Sequence, residues 1–361
     1  MDDEKNVRKE VQAQIVTAIV DINNQRATKE EIVNILRQVI PGTQIRSGIN
    51  GIVQAKKGTL VVAQKTGLDN IMDGGFKVNC KFTPQRLVEL SKMDGAIILS
   101  EDMKRITHAN VTLYPDTKIP TNETGTRHKT AERTAKMLST LVICVSERKN
   151  EINLYYKNIK YPIRETHEVV SKATQMLHLL EKQRELFDEY SAQLNIHEVY
   201  DDLNLEQACK VIQKGAAIEK LLESHEKTIL ELGNEGFAIK QRIRELIKGV
   251  DKEMNLVIKD YTKLNAKKSR KLIDSLNYEE TLNLENITIA LAQRETKKID
   301  SIKGWRILDK TSLSEKEISE LNNKLGSLKS ILSSHESDLI HTIGEEKAKI
   351  FTKDIERIKN Q

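Results

Sequence analysis

Cysteine, proline and aromatic side chains are all scarce in this sequence. The 3 cysteines among 361 residues, Cys80, Cys144 and Cys209, fit neither a disulfide framework nor a zinc spacing. A reducing compartment is therefore expected. Aromatic residues make up 4%, and Trp305 is the one tryptophan. No apolar run approaches the roughly 18 residues that argue a membrane span. The best candidate, Ile15 to Ile22, contains Thr17 and Asp21. The opening Asp2, Asp3 and Glu4 lack the basic character of a secretory leader, so a cytoplasmic protein with no membrane contact is expected. The net charge of +5 permits nucleic-acid binding without arguing for it. None of the 5 prolines follows Pro162. That absence, with periodic Leu and Ile among abundant Glu and Lys, predicts a long all-helical second half.

The first half has a different rhythm. Val7, Val11, Ile15, Ala18, Ile19 and Ile22 recur at helical spacing. Thr28 followed by Glu31 is a capping box, and Ile32, Ile35, Leu36 and Val39 mark a helix that Pro41-Gly42 ends. Short apolar runs at Thr59–Ala63, Ala96–Leu99, Ala109–Tyr114, Leu141–Ser146 and Ile152–Tyr156 predict strands, with a helix from Pro84 to Lys92 between two of them. Strands alternating with helices predict an α/β domain, a mixed sheet flanked by helices. Beyond Pro162, Leu177, Leu180 and Leu186 belong to one predicted helix and Leu221, Leu222, Ile229 and Leu232 to another. The Gly233-Asn-Glu-Gly236 break precedes a helical stretch from Ile239 to Ile258. Lys267, Lys268, Arg270 and Lys271 form the densest basic run, read as a solvated helix face.

Two stretches carry chemistry. Asp94 and Gly95, after Met93, stand at the entrance of the Ala96–Leu99 strand. A carboxylate there suits a metal ion or a sugar hydroxyl. Further on, Gly125 and Thr126 deliver Arg127, His128 and Lys129 into the start of a helix that continues through Thr130. Unpaired N–H groups, hydroxyls and cations at a helix N-terminus suit a polyphosphate. Together the two halves read as a nucleotide site.

Met93-Asp-Gly-Ala96 resembles the Asp-Gly-Ala motif of diadenylate cyclases, and Gly125-Thr-Arg-His-Lys129 resembles their Arg-His-Arg motif. Asp73-Gly-Gly-Phe76, Leu87-Val-Glu-Leu90, Thr130-Ala-Glu-Arg133 and Val145-Ser-Glu-Arg148 match as well. Within that family the likeness is to the soluble, DNA integrity scanning type. It is dense from about Ile32 to Ile163 and fainter, but in order, beyond.

The resemblance implies condensation of two ATP into cyclic di-AMP and two pyrophosphates, across facing half-sites of an oligomer, an octamer in the family. It implies Mg²⁺ or Mn²⁺ at Asp94, with Glu147 a second metal contact, and Asp94, Gly95, Arg127 and His128 as catalytic residues. Met93, Ala96, Leu113, Gly125, Thr126, Lys129, Thr130 and Ser146 complete the expected ATP site, Leu113 as a wall for the adenine. For Leu113 and Ser146 core packing and strand termination are the competing readings. Lys129 stands where the motif has a second arginine, so the charge is kept and the bidentate fork lost.

The expected layout is a helical extension over residues 1–30, a cyclase domain over 31–165, a helical spine over 166–303 and a small domain over 304–361. The last, from Gly304-Trp305 onward, resembles the second half of a helix-hairpin-helix around Ile343 and Gly344, with Thr342 in the place of the first glycine. Such a hairpin holds DNA phosphates through backbone N–H groups and following cations, here Lys347 and Lys349. The expected partner is branched DNA of the recombination-intermediate kind, at the nucleoid. A scaffold with a weak or silent cyclase, resting on Lys129, and a cyclase whose hairpin no longer binds DNA, resting on Thr342, are the alternatives.

Overall fold

The computed structural model describes residues 27–293 and 299–359. The helix expected over Val7–Ile22 lies outside them. The described chain forms two compact units, one of residues up to Ser171 with Thr228–Phe237, the other of Lys172–Lys227 with Ala238 onward.

In the first unit, helices α1 (Lys29–Val39) and α2 (Gln44–Gln54) precede strand β1 (Thr59–Ala63) and a 3-10 turn at Leu68–Ile71. Then come β2 (Met72–Asp73), β3 (Phe76–Lys81), α3 (Pro84–Leu90), β4 (Ala96–Leu99), β5 (Arg105–Leu113), α4 (Thr126–Leu138), β6 (Val142–Val145), β7 (Ile152–Tyr156) and β8 (Ile159–Ile163). The strands make one sheet in the order β2-β5-β4-β1-β6-β7-β8, with β3 also paired to β5. β1 and β4 run parallel, and the remaining pairs antiparallel. The predicted mixed sheet with flanking helices is what forms.

Its central strands are buried on both faces, which is why they read as unbroken apolar runs. Val61, Ala63, Ile97, Leu99, Ile143 and Val145 pack with Leu36, Ile49 and Leu87 of α1–α3. Leu60, Val62, Ala96, Ile98, Val142 and Cys144 pack with Ala131 and Ala135 of α4. The capping box forms as expected, with the Glu31 N–H donating to Thr28 Oγ1 and the Thr28 N–H to Glu31 Oε2. The Gly233–Gly236 break belongs to this unit, where the Asn234 N–H donates to Pro41 O at 3.2 Å.

The predicted helical region follows as α5 (Thr166–Val199), α6 (Leu205–Glu231), α7 (Phe237–Ile247), α8 (Val250–Tyr261), α9 (Ala266–Ser275), α10 (Tyr278–Thr281) and α11 (Leu284–Ala290). The stretch Ile239–Ile258 is two helices rather than one, because Gly249 takes φ +80° and stops α7 from continuing. After the undescribed residues come α12 (Trp305–Asp309), α13 (Glu315–Leu325), α14 (Leu328–Leu332), α15 (Glu336–Ile343) and α16 (Glu345–Lys359). Among the described residues no helix is long and apolar enough to cross a membrane.

Arg306 anchors this second unit. It is fully buried, and its guanidinium donates to Glu198 Oε2 at 2.8 Å and to Glu253 Oε1 at 2.7 Å. The N–H groups of Trp305 and Arg306 donate to the Asp260 carboxylate, both at 3.0 Å. The Tyr261 hydroxyl donates to Glu198 Oε1 at 3.1 Å, and Lys259 Nζ stands 3.1 Å over the Trp305 ring. Every charge here has a partner, as burial requires.

Candidate active site

Strand direction gathers the site at one end of the sheet. Leu60 faces Ala96 and Thr59 faces Val145, so the starts of β1 and β4 lie beside the end of β6. Ala96 faces Val111 and Phe76 faces Ala109, which brings the end of β5 and the start of β3 to the same place. Asp94-Gly95, Gly58, Ser146-Glu147 and Asp73-Gly74-Gly75 therefore share one rim.

A bulge in β5 holds two of these motifs together. Ala96 pairs with Val111 but Ile98 pairs with His108, leaving one extra residue on β5, and Asn110 takes φ +57° there. A Cβ on Gly95 would sit 2.8 Å from the Asn110 carbonyl carbon, and one on Gly75 would sit 2.7 Å from the Ala109 carbonyl oxygen. Only glycines let both loops close onto the bulge. Asp94 is exposed, and its carboxylate has no hydrogen-bond or ion-pair partner among the described residues.

On the other side of the rim, α4 starts at Thr126 with Gly125 as its N-cap, which offers no side chain to the first turn. The Lys129 N–H is the first to find an intrahelical acceptor, Gly125 O at 3.1 Å. The preceding N–H groups point out of the helix start, the arrangement that binds phosphate. Arg127 and His128 are half-buried, whereas Thr126 and Lys129 are exposed.

The sequence reading did not anticipate Gly58. A Cβ there would fall inside the Arg127 guanidinium and 3.1 Å from the N and Cβ atoms of Glu147. Arg127 thus lies across Gly58 toward the Glu147 backbone. The one signal was a glycine directly before an apolar strand.

His128 is held from behind. Its Nδ1 lies 3.0 Å from Tyr155 Oη, and the Cys144 thiol packs against the ring at 3.5 and 3.8 Å from the two nitrogens. Burial lowers the imidazole's proton affinity, with Lys160 and Arg127 adding to the effect and Glu123 opposing it. Burial pushes the Cys144 thiol up to about 12, so it stays neutral. The loop before α4 is pinned to that helix: Arg133 donates to Ile119 O at 3.0 Å, Lys136 to Pro120 O at 2.8 Å, and Thr121 bonds to Glu132.

The remaining expected contacts divide. Met93 is 41% exposed beside Asp94, while Ala96 is buried in the sheet. Leu113 is buried in the apolar cluster under α4, facing Met72 across β2. Ser146 is half-buried, and its Oγ accepts from the Lys149 N–H at 3.4 Å in the turn after β6. Thr130 is half-buried on α4 and Glu147 exposed. Among the described residues no group of three or more acidic, His or Cys side chains could hold a metal. A nucleotide-bound Mg²⁺ keeps waters and phosphate oxygens and takes only one or two carboxylates, so Asp94 with Glu147 fits such an ion.

At the other end of the chain, α15 and α16 meet at Gly344, which has φ +86°. Thr342 lies inside the last turn of α15, its Oγ1 donating to Asp338 O at 2.9 Å, rather than in the hairpin turn. Ile343 is buried, Lys347 pairs with Glu317, and Lys349 pairs with Glu345 at 2.6 Å. Arg270 in the basic run meets Glu219, Asp251 and Asp274, a role in packing rather than on a solvated face.

Residues 46–159 match the DAC family, described as DisA bacterial checkpoint controller nucleotide-binding. Residues 163–299 match the DisA linker region. The DNA integrity scanning protein DisA of Carboxydothermus hydrogenoformans is 38% identical over 344 residues, covering 92% of this chain and 98% of that protein. That of Thermotoga neapolitana is 41% identical over 235 residues, 64% of this chain and 67% of that protein. A solved Staphylococcus aureus DacA is 21% identical over 38% of this chain and 91% of its own, with a TM-score of 0.30, too slight to carry an argument.

Proposed function

Since the chain belongs to the DisA family and is a diadenylate cyclase, we propose that the rim of its sheet is one half of a two-nucleotide active site. The observation that carries this reading is the convergence of an unpartnered carboxylate, Asp94, with an uncapped, cation-bearing helix start at Thr126–Lys129. ATP binds with its triphosphate on the α4 N–H groups, Thr126 and Arg127, and its ribose at Gly95. Asp94 orients and deprotonates the 3′-hydroxyl, which attacks the α-phosphate of the ATP held by a facing copy. Arg127 and His128 hold the charge that grows on the departing pyrophosphate. Asp94 and Glu147 would hold Mg²⁺ or Mn²⁺, which supplies Lewis-acid stabilisation of phosphate oxygens when bound. Two copies must face one another, because nucleophile and electrophile sit on different nucleotides. Assembly to an octamer meets that need.

DNA scanning is the second part of the proposal. The α15–Gly344–α16 turn grips phosphates of branched DNA at the nucleoid, and binding lowers cyclic di-AMP output by misaligning facing half-sites. One observation favours the alternative of an active cyclase with a silent hairpin: Lys347 and Lys349 are already committed to Glu317 and Glu345. Incubation of the full chain with ATP and Mg²⁺ or Mn²⁺ yields cyclic di-AMP on this reading; its absence under both ions overturns it. Gel shifts on a four-way junction at two salt concentrations, with the intact chain and with Lys347→Glu plus Lys349→Glu, test the hairpin. Salt-sensitive binding that the double variant loses supports it, and equal binding by both proteins removes it.

A further inference from the structure

The Thr130-Ala-Glu-Arg133 motif has no role in the reading above, yet side chains in and just after it hold the loop that enters the phosphate site. Residues 114–125 join β5 to α4 without regular structure, from the expected adenine wall at Leu113 to the N-cap at Gly125. Irregular connections of that length are usually functional. Gly125 has φ +86°, offers no capping side chain and has open space where a Cβ would sit. A glycine in that setting does not by itself fix the direction of the chain.

The hold comes from α4. Glu132 and Lys136, at i and i+4, share one face of the helix, with Arg133 beside them. Arg133 Nε donates to Ile119 O at 3.0 Å, and Lys136 Nζ donates to Pro120 O at 2.8 Å. Lys136 also pairs with Glu132 Oε1 at 2.7 Å, while Glu132 Oε2 accepts from the Thr121 hydroxyl. The Thr121 oxygen in turn accepts the Glu123 N–H at 3.1 Å, and Lys160 of β8 holds the Glu123 carboxylate at 2.7 Å. A backbone N–H only donates, so the single Thr121 proton is free for Glu132. Burial alone would raise the Glu132 carboxyl, but its bonds to Lys136 and Thr121 bring it below its ordinary value, and it stays an ionised acceptor. The bonds thus run unbroken from the helix to the Glu123 amide, close before Gly125.

We propose that Glu132, Arg133 and Lys136, with Thr121 as their relay, are positioning residues that preset the entrance of α4 for the triphosphate. This rests on the reading of the α4 start as the phosphate site. Donors fixed in advance need no reorganisation at the reacting step, and small displacements of them are costly. All of these bonds join protein groups, which distinguishes the strap from a lid that a nucleotide must order.

The test uses the full-length protein. Thr121→Val keeps the shape and removes the relay hydroxyl, Thr121→Ser keeps the hydroxyl, and Arg133→Met removes the donor to Ile119 O. Both positions are half-buried and lie outside the sheet, so the variants should fold. Thr121→Val and Arg133→Met should each lower kcat roughly tenfold with KM for ATP within about threefold, since a misaimed cradle still holds the triphosphate but misses the in-line geometry. Thr121→Ser should restore kcat to within about twofold of the parent, because the relay oxygen and its proton are back. Hydrogen exchange in ATP-free protein should find the Glu123 amide protected in the parent and in Thr121→Ser, and unprotected in Thr121→Val. Full kcat in Thr121→Val or in Arg133→Met overturns the proposal. So does a Glu123 amide that becomes protected only when a non-hydrolysable ATP analogue is added. Full activity in Arg127→Ala instead removes the α4 start from the phosphate site, and the proposal falls with that reading.

Discussion

Two groups of charges in this protein face opposite fates. At the rim of the sheet, Asp94 and Lys129 are exposed and have no ion-pair partner among the described residues, and the helix start beside them has no capping side chain. Around Arg306 in the helical unit, Arg306 and Glu198 are buried and Glu253 and Asp260 half-buried, and all four are bonded to one another or to the backbone. Free charges cost the fold little and are available to a ligand, whereas removing one member of a buried set strands the others. Mutations should therefore damage activity alone at the first place and stability at the second.

The sharpest contrast comes from Asp94→Asn. Cyclic di-AMP synthesis should fall on the order of 10³-fold or more, about 4 kcal/mol in the barrier. The melting temperature should stay within about 2 °C, because an exposed, unpaired side chain is lost. Near-normal product formation would remove Asp94 from the chemistry. Arg306→Ala should do the reverse, destabilising the helical unit by about 3–5 kcal/mol in denaturant titrations. A chain stopped just before Gly304 should suffer the same loss, since it also strands Glu198 and Asp260. If Arg306→Ala unfolds at the same denaturant concentration as the unaltered protein, the comparison fails at its buried end.

Arg127→Ala comes next, with a drop on the order of 10²-fold in kcat, by analogy with the loss of a donor to developing charge. Gly58→Ala should produce a smaller loss in the same parameter, because its methyl displaces the Arg127 head without removing it. Equal activity of Gly58→Ala and the parent, measured at saturating ATP, would separate Gly58 from Arg127. Lys129→Arg restores a bidentate fork at an exposed position and should leave kcat within about threefold; strong inactivation would mean that Lys129 is not aligned with the motif's arginine.

The smallest expected effect is a pH slope. Burial, followed by the nearby Glu198 charge, raises Asp260 to about 7, above its ordinary 3.8. The folded protein then holds a proton between these values that the unfolded chain has released. Stability from this group is present at low pH and is lost as pH rises from about 4 through about 7. Asp260→Asn should flatten that part of the stability profile, read from melting temperatures across the range. An unchanged slope would assign the titration to another group.

Much of the fold was legible in the residues. β4 and β6 are apolar throughout, and β1 and β7 nearly so, because helices cover both faces of the sheet, and the Thr28–Glu31 box announced α1. The edge strand β8 and the largely exposed β3, with Lys77, Asn79 and Lys81, gave no such signal. Helix α2 was hidden by Gly48 and Gly51, which weaken a helix in isolation. They are there because Leu87 and Val88 of α3 pack against them, with no room for a Cβ.

The sequence by itself determined the chemistry on offer: a carboxylate before a strand, cations at a helix start, and a proline-free helical second half. Those features depend on neighbours in the chain, so local rules suffice to read them. Only the tertiary structure decided which charges are free and which are bound. Arg306 follows Trp305 like a surface residue, and it is buried because α5 and α8 bring Glu198 and Glu253 to it. Likewise Gly58, Arg127 and Glu147 meet, and Tyr155 reaches His128, only because sheet register places distant segments side by side. Burial and pairing are properties of that register, and they set whether a charge serves the fold or the substrate.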